Sequence, residues 1–449
     1  MNVYIQQRYQ DKAIFGKKLE NFMIDDFDEL PEVDNSLGVM SIRNLIENQD
    51  SSIQIDEDDK IDTFQPIIDF PNFLLIVLKL CLIEHSDFEP TSFNLDDKDL
   101  INEFDKVEKK YGITTKFVKK FGYFLLMARY CLDNLIVHHS NENDTVDNNP
   151  WKLQYWQRDG KIGYLKNLSS DINLQDNLVQ ILSMFEVSFT ARQRKNYLFY
   201  CLLYLFNSDW DDLVSYRDFL TGLADKYFRD VYLKKENLNE INTPLPGSFD
   251  KTILQNNKLD ITIRNDEFRF KEIYGDGSKE SKGISLFIFN YIDFRLWLKY
   301  FQELRGEKTK ESSRERVDFF ATLGCSDFGL KVFEQFYFSR TRRSLEHYYP
   351  QANANGKDDA LDKNQINCFG NYAMIGSEAN STGSNWTPKG KLDLYLDPSG
   401  KIKLISVASI KFRIMMQKCK DNQNIGRTPG LEWNFEDIRE HQFKILEIL

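Results

Sequence analysis

Between Phe64 and Phe333 the chain carries a succession of apolar stretches whose apolar residues recur every three or four positions. "FQPIIDFPNFLLIVLKL" opens the series and "YFLLMARYCLDNLIV" is its clearest member. That spacing places the apolar side chains on one helix face, which must be buried against another element. It predicts helices over 72–84, 98–111, 115–138, 174–185, 192–207, 210–226, 286–305 and 315–333. The loops "NEINTPLPGSFD" and "EIYGDGSKESKG" punctuate the series. "LDITIRNDEFRFKEI" alternates and predicts a short hairpin, and His138-His139 reads as the cap of a helix. With 41% hydrophobic residues, 35 Phe and 21 Tyr, the 449-residue chain has ample material for a sizeable core.

Three segments follow from this pattern. Residues 1–62 hold six Lys/Arg against fifteen Asp/Glu, lack a strong period, and read as an acidic N-terminal segment. Residues 63–335 form a large helical domain. Residues 336–449 hold sixteen Lys/Arg against thirteen Asp/Glu and change texture. The formal charge of the whole chain is −11, which argues against coating nucleic acid non-specifically, because Lys/Arg–phosphate contacts dominate such binding. A local site in the less acidic C-terminal segment is compatible with it. The six Cys show no CxxC pair and several lie in apolar runs, as expected of isolated buried thiols in a reducing cytoplasm. The longest apolar run contains Lys79 and is too short to span a bilayer, so no membrane partner is expected.

In the C-terminal segment, "FEQFYFSRTRRSLEHYYPQ" and "CFGNYAMIG" are β-prone runs separated by a polar loop. "SEANSTGSN" then reads as a helix start with Ser377 as N-cap. Strand, loop, strand, helix is a frame on which a one-metal nuclease site can be built. Phosphodiester hydrolysis needs an activated water, neutralised phosphate charge and help for the leaving oxygen. His347 suits the general base, since a neutral imidazole is matched to pH 7. Glu346 suits a hard metal, and Asn380 can add an amide oxygen, because Mg²⁺ (or Mn²⁺) accepts few protein oxygens and keeps waters. Strand alternation points Glu346 and His347 to opposite faces, so a bulge, a twist or the strand end must bring both to one phosphate. Asn371 can hold the His347 segment through side-chain-to-backbone bonds. Arg340, Arg342, Arg343, Lys389 and Lys391 are candidate phosphate contacts.

The ordered set "SLEHYYPQ … FGNYAMIGSEANSTGSN … K" resembles the HNH (ββα-metal) nuclease domain at the C-terminus of GmrSD-type type IV restriction endonucleases. The helical middle region resembles the same family. The resemblance implies an α+β, mainly α-helical protein with a C-terminal ββα-metal domain. It implies a Mg²⁺-dependent DNA endonuclease of an anti-phage system, with phage DNA, including modified DNA, as substrate. It makes His347 the general base, Glu346 and Asn380 the metal ligands and Asn371 the bracing Asn. Tyr348 replaces the usual Ile, and Asn380 stands where the final His of the HNH name would be. Family members usually begin with a ParB-like nucleotide-binding domain carrying Asp-Gly-Gln-Gln-Arg. Here Gln6-Gln7-Arg8 lacks the Asp-Gly, so either the NTP-sensing half is a separate polypeptide or the chain is a truncated or stand-alone effector. The expected partner is a ParB-like NTP-binding subunit or a second copy of the chain in a homo-oligomer. The alternatives are a non-catalytic subunit that docks such a partner and an RNA-cleaving toxin.

Overall fold

The computed structural model describes residues 67–140, 149–159, 162–189, 191–265, 267–276, 280–305, 313–351, 361–383, 386–395, 408–428 and 430–449. The acidic segment expected over 1–62 lies outside them. The described chain is mainly α-helical with four small two-stranded antiparallel sheets, an α+β architecture.

The helical part is built from α1 (Phe70–Leu82), α2 (Leu100–Tyr111), α3 (Thr115–Leu135), α4 (Ile172–Ser188), α5 (Ala191–Phe206), α6 (Leu213–Lys226), α7 (Ser248–Ile253), α8 (Leu286–Glu303) and α9 (Arg314–Leu323). Local chemistry sets the starts. Asp69 accepts from Asn72 N (2.9 Å) ahead of α1, with Pro71 in the first turn. Thr114 does the same for Phe117 N (3.2 Å) and Asp171 for Asn173 N (2.8 Å). Most of α1 and α4 is buried, α1 through an almost wholly apolar surface and α4 with Gln175, Gln180 and Glu186 among its buried residues. Helix α1 even buries Lys79, whose ammonium lies 2.9 and 2.8 Å from the two Asp250 oxygens, with Tyr200 donating to the same carboxylate at 2.7 Å.

Three expectations change. The helix predicted over 315–333 stops at Leu323, because Gly324 takes a left-handed φ of 77° and closes it. His138 and His139 do not cap a helix. They form β1 (His138–His139), paired with β2 (Trp151–Lys152). The predicted hairpin is displaced toward the N-terminus, to β5 (Leu254–Gln255) and β6 (Lys258–Leu259). Asn256 and Asn257 turn it at positive φ, leaving 260–265 irregular. A longer hairpin, β3 (Gln154–Asp159) with β4 (Ile162–Asn167), was not expected, although Asp159-Gly160 is a hairpin turn signal.

The C-terminal elements are β7 (Arg342–His347), α10 (Lys363–Ile366), β8 (Tyr372–Gly376), α11 (Ser377–Gly383), α12 (Pro388–Tyr395), α13 (Ile410–Asn424) and α14 (Phe435–Glu447). One apolar cluster runs from α1 through α8 into Phe369, Tyr372, Met374, Ile410, Ile414, Ile445 and Leu446. A second, smaller cluster joins Tyr348, Ile375, Leu392, Phe412, Met415 and Trp433. Of the six free cysteines, all but the half-buried Cys325 are buried. No helix among the described residues is long and apolar enough to cross a membrane.

Polar groups tie the C-terminal elements to α8. Asp293, fully buried in α8, accepts from Ser409 Oγ (2.9 Å) and Lys411 N (2.7 Å) and pairs with the guanidinium of Arg342. Arg342 also donates to the carbonyl of Ala408, which holds a positive φ of 49°. Lys411 Nζ donates to the carbonyls of Phe369 (2.9 Å) and Tyr372 (2.5 Å), at the start of β8.

Two outcomes follow. Asp293→Ala leaves Arg342 buried without its counter-charge and should cost about 3–5 kcal/mol, read as a lower denaturant midpoint. Stability should also depend on buried imidazoles. Burial holds His441 well below the ordinary imidazole value, helped by Lys411 and Lys418, and burial lowers His138 as well. A lowered folded-state value means the unfolded chain binds more protons, so stability is full above about pH 6.5 and falls as pH drops below it. Thermal midpoints should therefore drop between pH 7 and pH 5, and less steeply in His441→Phe. Equal slopes would exclude His441 as a contributor.

Candidate active site

Strands β7 and β8 pair antiparallel, with Glu346 opposite Ala373 and His347 opposite Tyr372. A register shift sits between Arg342 and Ser344, at the far end of β7 from the Glu-His pair, and His347 is the last strand residue. Helix α11 follows β8 directly and packs on both strands.

The turn before β8 explains the Gly-Asn pair. A Cβ at Gly370 would overlap the carbonyl of Ile438 in α14, so only glycine lets the chain approach that helix. Asn371 is fully buried, and its amide is saturated. Its Oδ1 accepts from Tyr349 N (2.8 Å) and Trp433 Nε1 (3.1 Å), and its Nδ2 donates to the carbonyls of Tyr349 (3.0 Å) and Ile366 (3.0 Å). One side chain thus joins the segment after His347, the end of α10 and the residue ahead of α14.

Glu346 and His347 meet different surroundings. The Glu346 carboxylate is buried and forms an ion pair with Lys391 of α12, itself fully buried. Burial pushes the Glu346 carboxyl up and the Lys391 ammonium down, and their mutual attraction opposes both shifts. Lys391 Nζ also donates to the His347 carbonyl. The His347 ring is half-buried, edge-on to Tyr372 with centroids 4.7 Å apart. Its Nε2 lies 2.9 Å from Asn367 Oδ1 and 3.2 Å from Gln351 Nε2. Burial is the main cause that lowers its pKa and Lys391 adds to it, while the Asn367 contact opposes. The neutral imidazole, the form able to accept a proton, is therefore favoured near pH 7.

Asn380 is half-buried on α11. Arg343 and Lys389 are exposed, and Arg340 is half-buried, 3.7 Å from Glu186 and over the Trp151 ring. Two of the expected phosphate contacts are corrected. Arg342 is enclosed in the core by Asp293 and the Ala408 carbonyl, and Lys391 is enclosed by Glu346 and the His347 carbonyl. A buried cation already holding a carboxylate offers nothing to a phosphate at the surface. Asn367, which touches the histidine, and Glu280, which reaches it through Asn367, carry no sequence signal, because tertiary folding alone brings them there. Gln351 was visible only as the last letter of "SLEHYYPQ".

Among the described residues, no group of three or more His, Cys, Asp or Glu is placed to hold a metal ion. Glu346 and Asn380 are hard-oxygen donors on adjacent elements. Glu346 Oε1 is buried against the Lys391 ammonium, which is its partner. These donors suit Mg²⁺ in type, with Lys391 as the competing cation.

Residues 294–448 match the C-terminal domain of the GmrSD restriction endonucleases. No curated protein and no solved structure matches the chain significantly.

Asn371→Ala would leave the Tyr349 and Trp433 donors and two carbonyls without partners inside the fold. At about 1–3 kcal/mol for a buried group left unpaired, it should lower the unfolding midpoint measurably. It should also raise exchange of the Tyr349 amide in hydrogen-exchange measurements; protection equal to wild type would refute the bracing role.

Proposed function

We propose that the chain is a metal-dependent DNA endonuclease of the HNH (ββα-metal) type, working in anti-phage restriction. The observation that most supports this reading is the hairpin carrying Glu346 and His347, followed by α11 with Asn380, inside the stretch that resembles a restriction-endonuclease domain. A half-buried imidazole at a strand end, held through Nε2, leaves Nδ1 as the nitrogen that would meet a water.

In this reading His347 takes a proton from a water as the water oxygen bonds to phosphorus. The P–O3′ bond then breaks, and the departing oxygen takes a proton from solvent. Mg²⁺ or Mn²⁺, held by Glu346 and Asn380, would supply neutralising charge for the phosphate oxygens and the leaving group. Lys391 keeps Glu346 in place and must share or release that carboxylate when a divalent ion binds. Asn371 fixes the backbone after the histidine. Arg340, Arg343 and Lys389 remain as phosphate contacts at or near the surface, whereas Arg342 and Lys391 hold the frame. A ParB-like NTP-binding subunit, or a second copy of the chain, would act as the trigger.

The test is incubation of the purified protein with plasmid, modified phage DNA and RNA, with Mg²⁺, with and without the product of the neighbouring gene. DNA cleavage is expected, abolished by EDTA. His347→Ala should reduce it by roughly 10²–10⁴-fold with an unchanged circular dichroism spectrum. Wild-type nicking by that variant removes His347 from the chemistry. Activity that survives EDTA removes the metal, and cleavage of RNA alone assigns a different substrate.

A further inference from the structure

Glu280 lies before α8 and outside the stretch that matches the restriction-endonuclease domain. Its Oε1 accepts from Asn367 Nδ2 at 2.9 Å, and its Oε2 lies 3.3 Å from Lys282 Nζ. The next residue, the buried Ser281, clasps the same turn: its amide donates to the Asn367 carbonyl (2.7 Å) and its hydroxyl accepts from Phe369 N (3.0 Å). The helical region therefore grips 367–369 at three points. Asn367 is itself buried, and its Oδ1 faces His347 Nε2 (2.9 Å) and Gln351 Nε2 (2.8 Å).

We propose that Glu280 is a positioning residue for His347, acting through Asn367 to set the imidazole's tautomer and ring plane. An ionised carboxylate only accepts hydrogen bonds, so Glu280 dictates which end of the Asn367 amide is the donor. With Nδ2 committed to Glu280, Oδ1 must face the histidine, and Oδ1 only accepts. His347 Nε2 must then carry the proton, and the lone pair is left on Nδ1. Gln351 supports the same assignment by donating to Asn367 Oδ1, so its 3.2 Å approach to His347 Nε2 is a contact between two donors that share one acceptor. A neutral histidine hydrogen-bonded through one nitrogen has its tautomer fixed by that partner. The chain is carboxylate, amide, imidazole. The assignment of chemistry to Nδ1 rests on the nuclease reading above; the tautomer does not.

The experiment is nitrogen and carbon NMR of histidine-labelled full-length protein. The chain has five His, and the His347 signals are assigned by their loss in His347→Ala. Wild type should show the Nε2–H tautomer for His347. In Glu280→Ala the Asn367 amide is free to invert, and the signals should shift toward a mixture of tautomers. Glu280→Gln still offers an oxygen to Asn367 Nδ2 and should restore most of the wild-type signature; it also keeps the test valid if the Ala variant unfolds. DNA cleavage measured alongside should show kcat lowered about 10–100-fold in Glu280→Ala, by analogy with the loss of an outer partner from a metal-ligating histidine, with KM unchanged. An Nδ1–H tautomer in wild type, or a Glu280→Ala protein with an unaltered His347 signature, overturns the proposal. A locked tautomer in a protein that cuts no nucleic acid overturns the nuclease reading and leaves the positioning of His347 standing.

Discussion

The buried charge of Asp293 is the constraint around which the C-terminal elements are arranged. A carboxylate in the middle of an apolar helix is costly unless its oxygens are fully engaged. Here one side chain draws in Arg342 at the start of β7, Ser409 at the cap of α13 and the amide of Lys411 in its first turn. Ser409 Oγ also accepts from Phe412 N, so the group that meets Asp293 starts the helix as well. Any displacement of β7 from α8 would strand a charge in the core. The hairpin and the last helices are thereby fixed to α8, and through α8, which packs on α4, to the helical body.

A second layer of polar contacts turns that frame into a site. Lys411 reaches from α13 to the two carbonyls flanking Gly370-Asn371, and Asn371 passes the constraint to Tyr349 and Trp433. Lys391 approaches from α12, holding the side chain of Glu346 and the backbone of His347. The strand separates these two residues by alternation, as the pleat requires. Their common neighbour is an ammonium, so the charge in this spot is already balanced without a bound ion. Arg342 and Lys391 show how a cation next to a functional motif can belong to its scaffold.

The fold was legible in the sequence where the signal is local. Helices with apolar residues at three- and four-residue steps were found near their places, and the Asp and Thr caps mark their starts. Predicted boundaries failed where a backbone conformation decides, as at Gly324, or where a turn moves a strand pair, as at Asn256-Asn257. The two strands and the helix after them were legible because "SLEHYYPQ" and "FGNYAMIG" combine β-prone residues with Pro and Gly-Asn punctuation. Charge assignments were not. Arg342 and Arg343 are neighbours of one type, yet one is enclosed and the other exposed, because alternation on a half-buried strand sends one to Asp293 and one to solvent. Nothing in the sequence near Asn367 announces that it faces an imidazole, since its partners come from positions 280, 347 and 351.

The contacts of Glu280 and Ser281 also bear on what the helical region is for. A region that only packed its apolar surface against the C-terminal elements would hold them without fixing direction. Instead, two residues ahead of α8 supply hydrogen bonds to the turn that leads into β8, at Asn367 and Phe369. Hydrogen bonds impose direction where apolar contact does not, and a carboxylate–amide pair fixes direction most strictly because the carboxylate cannot donate. The same short segment is also held on its other side, where Asn242 Nδ2 reaches the carbonyl of Lys282 at 2.9 Å. A shift of the 239–243 turn would thus move Lys282, and with it the carboxylate two residues earlier. The histidine's surroundings are coupled by this route to the helical body, and not to the hairpin alone.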